Sequence, residues 1–143
     1  MTLPVPLPGL VIRYSFLWSR EARAGSTEGR KDRPCAIVVA TKPDARGETR
    51  VVVVPVTHAP PADITTAIEL PRDLKIALGL DRRRSWVCLD EVNAFLWPGY
   101  DLRRIPGTQR YDHGVLPEAL FVRIRDGVVS LHRARRLRQV TRD

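Results

Sequence analysis

Three basic residues, Arg30, Lys31 and Arg33, crowd the end of a polar loop, and Pro34 then hands the chain to the unbroken apolar run Cys35 to Ala40. An arginine fork donates two bonds to a phosphate and stays charged at any working pH, so Arg33 suits the charge that grows on a phosphodiester under attack. Further along, Thr57 and His58 follow a second apolar run, and Asp90 and Glu91 close a third. Opening a phosphodiester with its neighbouring 2′-hydroxyl requires a base for that proton, a cation for the phosphate and an acid for the leaving oxygen. Thr57 can hydrogen-bond a nonbridging oxygen, His58 can serve as base or acid, and Asp90 is the competing base. Each also has a plainer role. Thr57 can simply end a strand, His58 can be an ordinary loop histidine, Asp90 can cap a turn, and Arg33 can pair on the surface with Asp32 or Glu28.

The elements that must position these groups are mostly strands. Leu10, Ile12, Tyr14 and Phe16 alternate in a half-buried strand, and Ser19 to Asp32 is so charged that an exposed, mobile loop is expected. Cys35 to Ala40 is short, rich in β-branched residues and bounded by turn signals, which predicts a strand buried on both faces. Arg33 precedes a proline and is therefore extended, at the mouth of that strand. Pro43, Asp44 and Gly47 mark a hairpin into the strand Arg50 to Thr57, whose Pro55 predicts an edge, a bulge or a strand end. A short strand over Thr65 to Leu70, a helix behind Pro71 and a strand from Ser85 to Asp90 follow, with Val92 to Trp97 continuing or neighbouring it. Leu116, Leu120, Phe121 and Ile124 predict an amphipathic helix.

Beyond about residue 127 the chain reads as a basic C-terminal extension, with Arg133, Arg135, Arg136 and Arg138 either in a frayed tail or contacting a polyanion. At 143 residues the chain predicts one domain, mainly β with short helices, as a small twisted barrel. A formal charge of +8 points to nucleic acid or an acidic protein, and only Lys31, Lys42 and Lys75 of the 24 basic residues are lysines. Cys35 and Cys88 lack metal-ligand spacing and read as reduced core residues. No cofactor motif is present. The first residues, Met1 to Pro8, have no basic leader region and no apolar run approaches membrane length, which predicts a cytoplasmic protein.

A first strand opening at Pro8-Gly9, a charged loop closing in Gly29-Arg-Lys-Asp-Arg-Pro34, a strand ending Val54-Pro-Val-Thr57 and a later strand ending Leu89-Asp90 together resemble the PemK/MazF family of toxin components. The likeness runs roughly from Leu7 to Ile105. It implies an SH3-like, CcdB-like barrel with a C-terminal helix, acting as a homodimer that cuts single-stranded RNA without a metal and leaves a 2′,3′-cyclic phosphate. An acidic antitoxin would occupy the RNA groove. By position, the resemblance gives Arg33 the role of catalytic arginine, Thr57 that of the supporting hydroxyl and Asp90 that of the acid acting as base. His58 joins them as a candidate, and Arg30, Lys31, Glu91, Arg133, Arg135 and Arg136 are expected along the RNA. The chain departs from the family in having Glu91 and Asn93 where many relatives have glutamine and arginine, and Cys88 where some have arginine. A noncatalytic growth inhibitor or nucleic-acid binder on the same barrel is the alternative, and an unrelated small barrel a third.

Overall fold

Strand alternation explains most of the architecture seen in the computed structural model, which describes residues 2–143. β1 (Leu10–Ser15), β2 (Asp32–Ala40) and β3 (Arg50–Thr57) form an antiparallel meander, with Asp44 and Gly47 in the β2–β3 hairpin as expected. Leu10, Ile12 and Tyr14 join Cys35, Ile37, Val51 and Val53 in one apolar layer, completed by Phe16 and Phe95. The intervening Val11, Ala36, Val38, Val54 and Val56 face a second layer. Because both faces are covered, β2 and β3 need near-continuous apolar sequence rather than strict alternation.

β4 (Ala67–Glu69), β5 (Trp86–Cys88), β6 (Glu91–Leu96) and β7 (Asp112–Val115) extend the sheet. β3 changes partners along its length, pairing with β6 from Arg50 to Val53 and with β5 at Val56 and Thr57. Pro55 sits at that change, where a nitrogen that cannot donate interrupts least. The short helix α1 (Ser19–Arg23) follows β1, and α2 (Arg72–Ala77) follows β4. The long helix α3 (Glu118–Arg133) lays Leu120, Ile124, Val128 and Leu131 on the second apolar layer. Among the described residues no helix is long and apolar enough to cross a membrane.

Two regions differ from the sequence-based expectation. The segment from Ser19 to Asp32 is not wholly an exposed loop, because it begins with α1, in which Ser19 and Glu21 are buried. Glu91 of β6 accepts from the backbone nitrogen and the hydroxyl of Ser19 at 2.9 and 2.7 Å, so polar residues are drawn inward by a buried carboxylate. The basic C-terminal extension is not a frayed tail either. Residues 127 to 133 complete α3, and β8 (Arg138–Thr141) then pairs in parallel with β6. The side chain of Arg142 is only 5% exposed and meets Asp101 at 3.0 Å. Its guanidinium also donates to the carbonyl oxygens of Ser15 and Thr27.

Candidate active site

Arg33 is the second residue of β2, held extended by Pro34 and paired with Tyr14 of β1. It is half-buried rather than free at a strand mouth. Its Nη1 donates to the carbonyl of Val56 at 3.3 Å, and its Cζ lies 5.2 Å from the centre of the Trp18 ring. Its Nε is buried and has no hydrogen-bond partner. The β2–β3 ladder ends with Cys35 opposite Pro55, and Thr57, two residues further on, pairs with Trp86 of β5. The Thr57 hydroxyl accepts from the Ala59 nitrogen at 3.2 Å, which turns the chain into the loop that carries His58.

A cavity of about 620 Å³ opens at this end of the sheet, and Lys31, Arg33, His58, Asp81, Arg83 and His113 contribute to its wall. His58 Nε2 lies 2.7 Å from Asp81 Oδ2, while the other oxygen of that carboxylate accepts from the buried Lys75 ammonium at 2.9 Å. Partial burial opposes ionisation of Asp81, but the hydrogen bonds from Lys75 and His58 prevail and hold its carboxyl below the ordinary range.

Sequence reasoning missed His113. It arrives on β7, a strand of mixed polarity whose ladder with β1 is a tertiary fact. Its Nδ1 lies 3.1 Å from the carbonyl of Leu78 and therefore carries the proton, which leaves the buried Nε2 as an acceptor without a partner. Burial pushes this imidazole below its ordinary value of 6.5, against the hydrogen bond to Leu78.

The charges of the wall do not cancel. Asp32 faces Arg13 at 3.9 Å and Arg103 at 3.7 Å, and Asp81 is taken by His58 and Lys75. Lys31, Arg33 and Arg83 meet no carboxylate among the described residues. Asp32 is thus not the surface partner of Arg33, and Glu28 is not one either. Three cations without counter-charge around one concave wall attract an anion, and Arg33 is aimed by its backbone and by Trp18.

The remaining candidates fall elsewhere. Asp90 occupies the bend between β5 and β6, where its carbonyl accepts from the Arg138 nitrogen at 2.9 Å, and it is not part of the cavity wall. Burial, then the Asp90 carboxylate, push the Cys88 thiol up to about 12, with Arg33 opposing, so this thiol senses both groups. Glu91 is committed to Ser19 and is buried. Asn93, completely buried, donates to the Leu17 carbonyl at 2.7 Å and accepts from the Leu17 nitrogen at 2.9 Å. Glu91 and Asn93, two of the three residues at which the chain departs from the PemK/MazF pattern, therefore tie β6 to the segment after β1. Arg30 is exposed and faces Glu21 at 3.3 Å. Arg133 and Arg135 are exposed near the end of α3, and Arg136 pairs with Asp63 at 2.9 Å. Hydrogen bonds from Thr65, then that from Arg136, pull the Asp63 carboxyl down to about 2. None of these three arginines lines the cavity.

No protein-family model, no curated protein and no solved structure matches this chain.

Proposed function

We propose that this chain is a metal-independent endoribonuclease of the PemK/MazF kind, cutting single-stranded RNA by attack of its own 2′-hydroxyl. The observation that carries the reading is the cavity in which Lys31, Arg33 and Arg83, all without carboxylate partners, stand with a histidine already oriented by a carboxylate. In this mechanism His58, steered at Nε2 by Asp81, takes the 2′-proton at Nδ1. The 2′-oxygen attacks phosphorus and the bond to the 5′-oxygen breaks. Arg33 donates to the nonbridging oxygens as their charge grows, and we assign the supporting hydroxyl to Thr57, the neighbour of the Val56 whose carbonyl holds Arg33. We assign protonation of the departing 5′-oxygen to Lys31. The products are a 2′,3′-cyclic phosphate and a 5′-hydroxyl.

The same reading takes the mainly β sheet as an SH3-like barrel, the working unit as a homodimer in the cytoplasm and the natural inhibitor as an acidic antitoxin segment. One observation favours a noncatalytic binder of nucleic acid instead: Asp90, the base that some relatives use, lies off the cavity wall. A single assay separates the two. Purified protein is incubated with a long single-stranded RNA in excess chelator, and the fragment ends are analysed. Fragments ending in cyclic phosphate are expected. RNA that is bound but uncut favours the binder, and cleavage that appears only with added magnesium overturns the mechanism.

A further inference from the structure

Next to the first cavity lies a second, of about 510 Å³, and the two share Leu80, Asp81 and Arg83 in their walls. They meet at the loop of residues 81–84 that follows α2, as two halves of one basic surface. Two consecutive arginines of that loop, Arg82 and Arg83, and Arg72 at the start of α2 line the second half. The carboxylates of this half are already occupied. Glu69 receives the Nε and Nη2 of Arg84 at 2.8 and 2.7 Å, and Asp81 receives His58 and Lys75. Arg72, Arg82 and Arg83 meet no carboxylate among the described residues. Cations without carboxylate partners therefore stand on both sides of the loop.

The loop that carries this charge is held in place. The Lys75 side chain is only 5% exposed, and its ammonium donates to Asp81 and to the carbonyl of Arg83. Asp81 in turn accepts from the Arg83 nitrogen at 3.1 Å, so the backbone around Arg82 and Arg83 is braced from below. Arg84 stacks on Trp86 of β5 at 5.1 Å while pairing with Glu69. A braced backbone bearing unpaired arginines at several points along a groove suits a ligand with charges repeated along its length, as a polynucleotide has and a single phosphate does not.

We infer that a single-stranded RNA runs from the first cavity over the Asp81–Arg84 loop into the second, with Arg83 shared between the halves and Arg72 and Arg82 each meeting a further phosphate. This rests on the reading of the first cavity as an RNA site. It adds that several nucleotides on one side of the reacting phosphate are held by backbone charge alone, with no reading of base identity.

The test uses 2′-O-methyl oligonucleotides, which bind but cannot be cut, at lengths of about three and about nine nucleotides. Affinity is measured by fluorescence anisotropy between about 50 and 200 mM salt for wild type, for the double variant Arg72→Ala/Arg82→Ala and for Arg46→Ala, which lies in the β2–β3 hairpin at the other end of the strands. For the longer oligonucleotide, loss of two phosphate contacts lowers the slope of log K against log salt by about 1.4, at about 0.7 per contact on a single strand. The loss of affinity is larger for the long than for the short oligonucleotide, and Arg46→Ala keeps the wild-type slope. Equal losses at both lengths, an unchanged slope in the double variant, or no binding by wild type would each overturn the inference. So would an Asp/Glu-rich peptide whose binding alone depends on Arg72 and Arg82, which would give the groove to an acidic protein. The probe cannot be cut, so binding is read apart from cleavage: a groove that holds the probe while natural RNA stays intact in the chelator assay defeats the ribonuclease and leaves the groove standing. Cleavage with an unchanged slope does the reverse.

Discussion

His113 keeps its proton on Nδ1 because the Leu78 carbonyl is there to receive it, and burial then opposes a second proton on Nε2. Its charged neighbours are Arg13, Arg110 and Asp112, and the two arginines also disfavour the imidazolium. The folded pKa lies below the ordinary 6.5, so the unfolded chain takes up the proton first as pH falls. This group costs no stability above that value and destabilises the fold progressively below it, until the folded imidazole protonates too. His113→Gln, which cannot take the proton, should therefore lose less melting temperature between about pH 7.5 and 5.5 than wild type does. Parallel thermal unfolding curves at the two pH values check this, and equal losses would mean that the imidazole is free to charge in the fold. His113 was not legible in the sequence because it lies in Asp-His-Gly-Val, a stretch with no apolar period of its own. Arg33 was partly legible, since Pro34 dictates its extended backbone. Its contacts with Val56 and Trp18 depend on chain segments far apart and were not.

Elements that looked like loose connections are held by polar side chains of β6. Asn93 supplies both hydrogen bonds of Leu17, and Glu91 supplies two to Ser19, so the start of the segment leading to Arg33 is fixed from within the sheet. Asn93→Ala leaves a buried donor and a buried acceptor of Leu17 unpaired, each costing about 1–3 kcal/mol, for a total of roughly 2–6 kcal/mol. Urea unfolding measures this, and a change below about 0.5 kcal/mol, as at an ordinary surface position, would mean that Asn93 does not hold the segment. A sequence shows such a clamp only as polar residues in an otherwise apolar strand, Glu91 and Asn93 among Val92, Ala94 and Phe95. The apolar strands and α3 were legible because burial imposes a period on them. α1 and β8 were not, since the first is tethered by a carboxylate and the second by a ladder to β6.

At the scale of the whole molecule, the C-terminal residues close the structure rather than trail from it. β8 lies along β6, and Arg142 joins Asp101, Asn93 and the carbonyls of Ser15 and Thr27. A chain ending at Arg136 loses the ladder and the buried Arg142, leaving Asp101 with only the longer contact to Arg103 at 3.8 Å, which together destabilise by on the order of 3–5 kcal/mol. Thermal unfolding of the shortened chain checks this, and an unchanged midpoint would return the segment to a dispensable tail. Arg133, Arg135 and Arg136 stand outside both cavities, and the cations without counter-ions that line them are Lys31, Arg33, Arg72, Arg82 and Arg83. Of these, Arg33 is the one that the proposed chemistry cannot do without. The most direct test is the rate of cleavage of single-stranded RNA in excess chelator by wild type, Arg33→Ala and Arg33→Lys, at a temperature where thermal unfolding shows all three folded. Loss of the Val56 bond and the Trp18 contact makes Arg33→Ala less stable by about 1–2 kcal/mol, and loss of the phosphate donor slows cleavage by about 10²–10³-fold. Arg33→Lys recovers part of the rate but not all, because a point charge does not reproduce the two-pronged contact. A folded Arg33→Ala protein that cuts RNA at the wild-type rate would contradict the account.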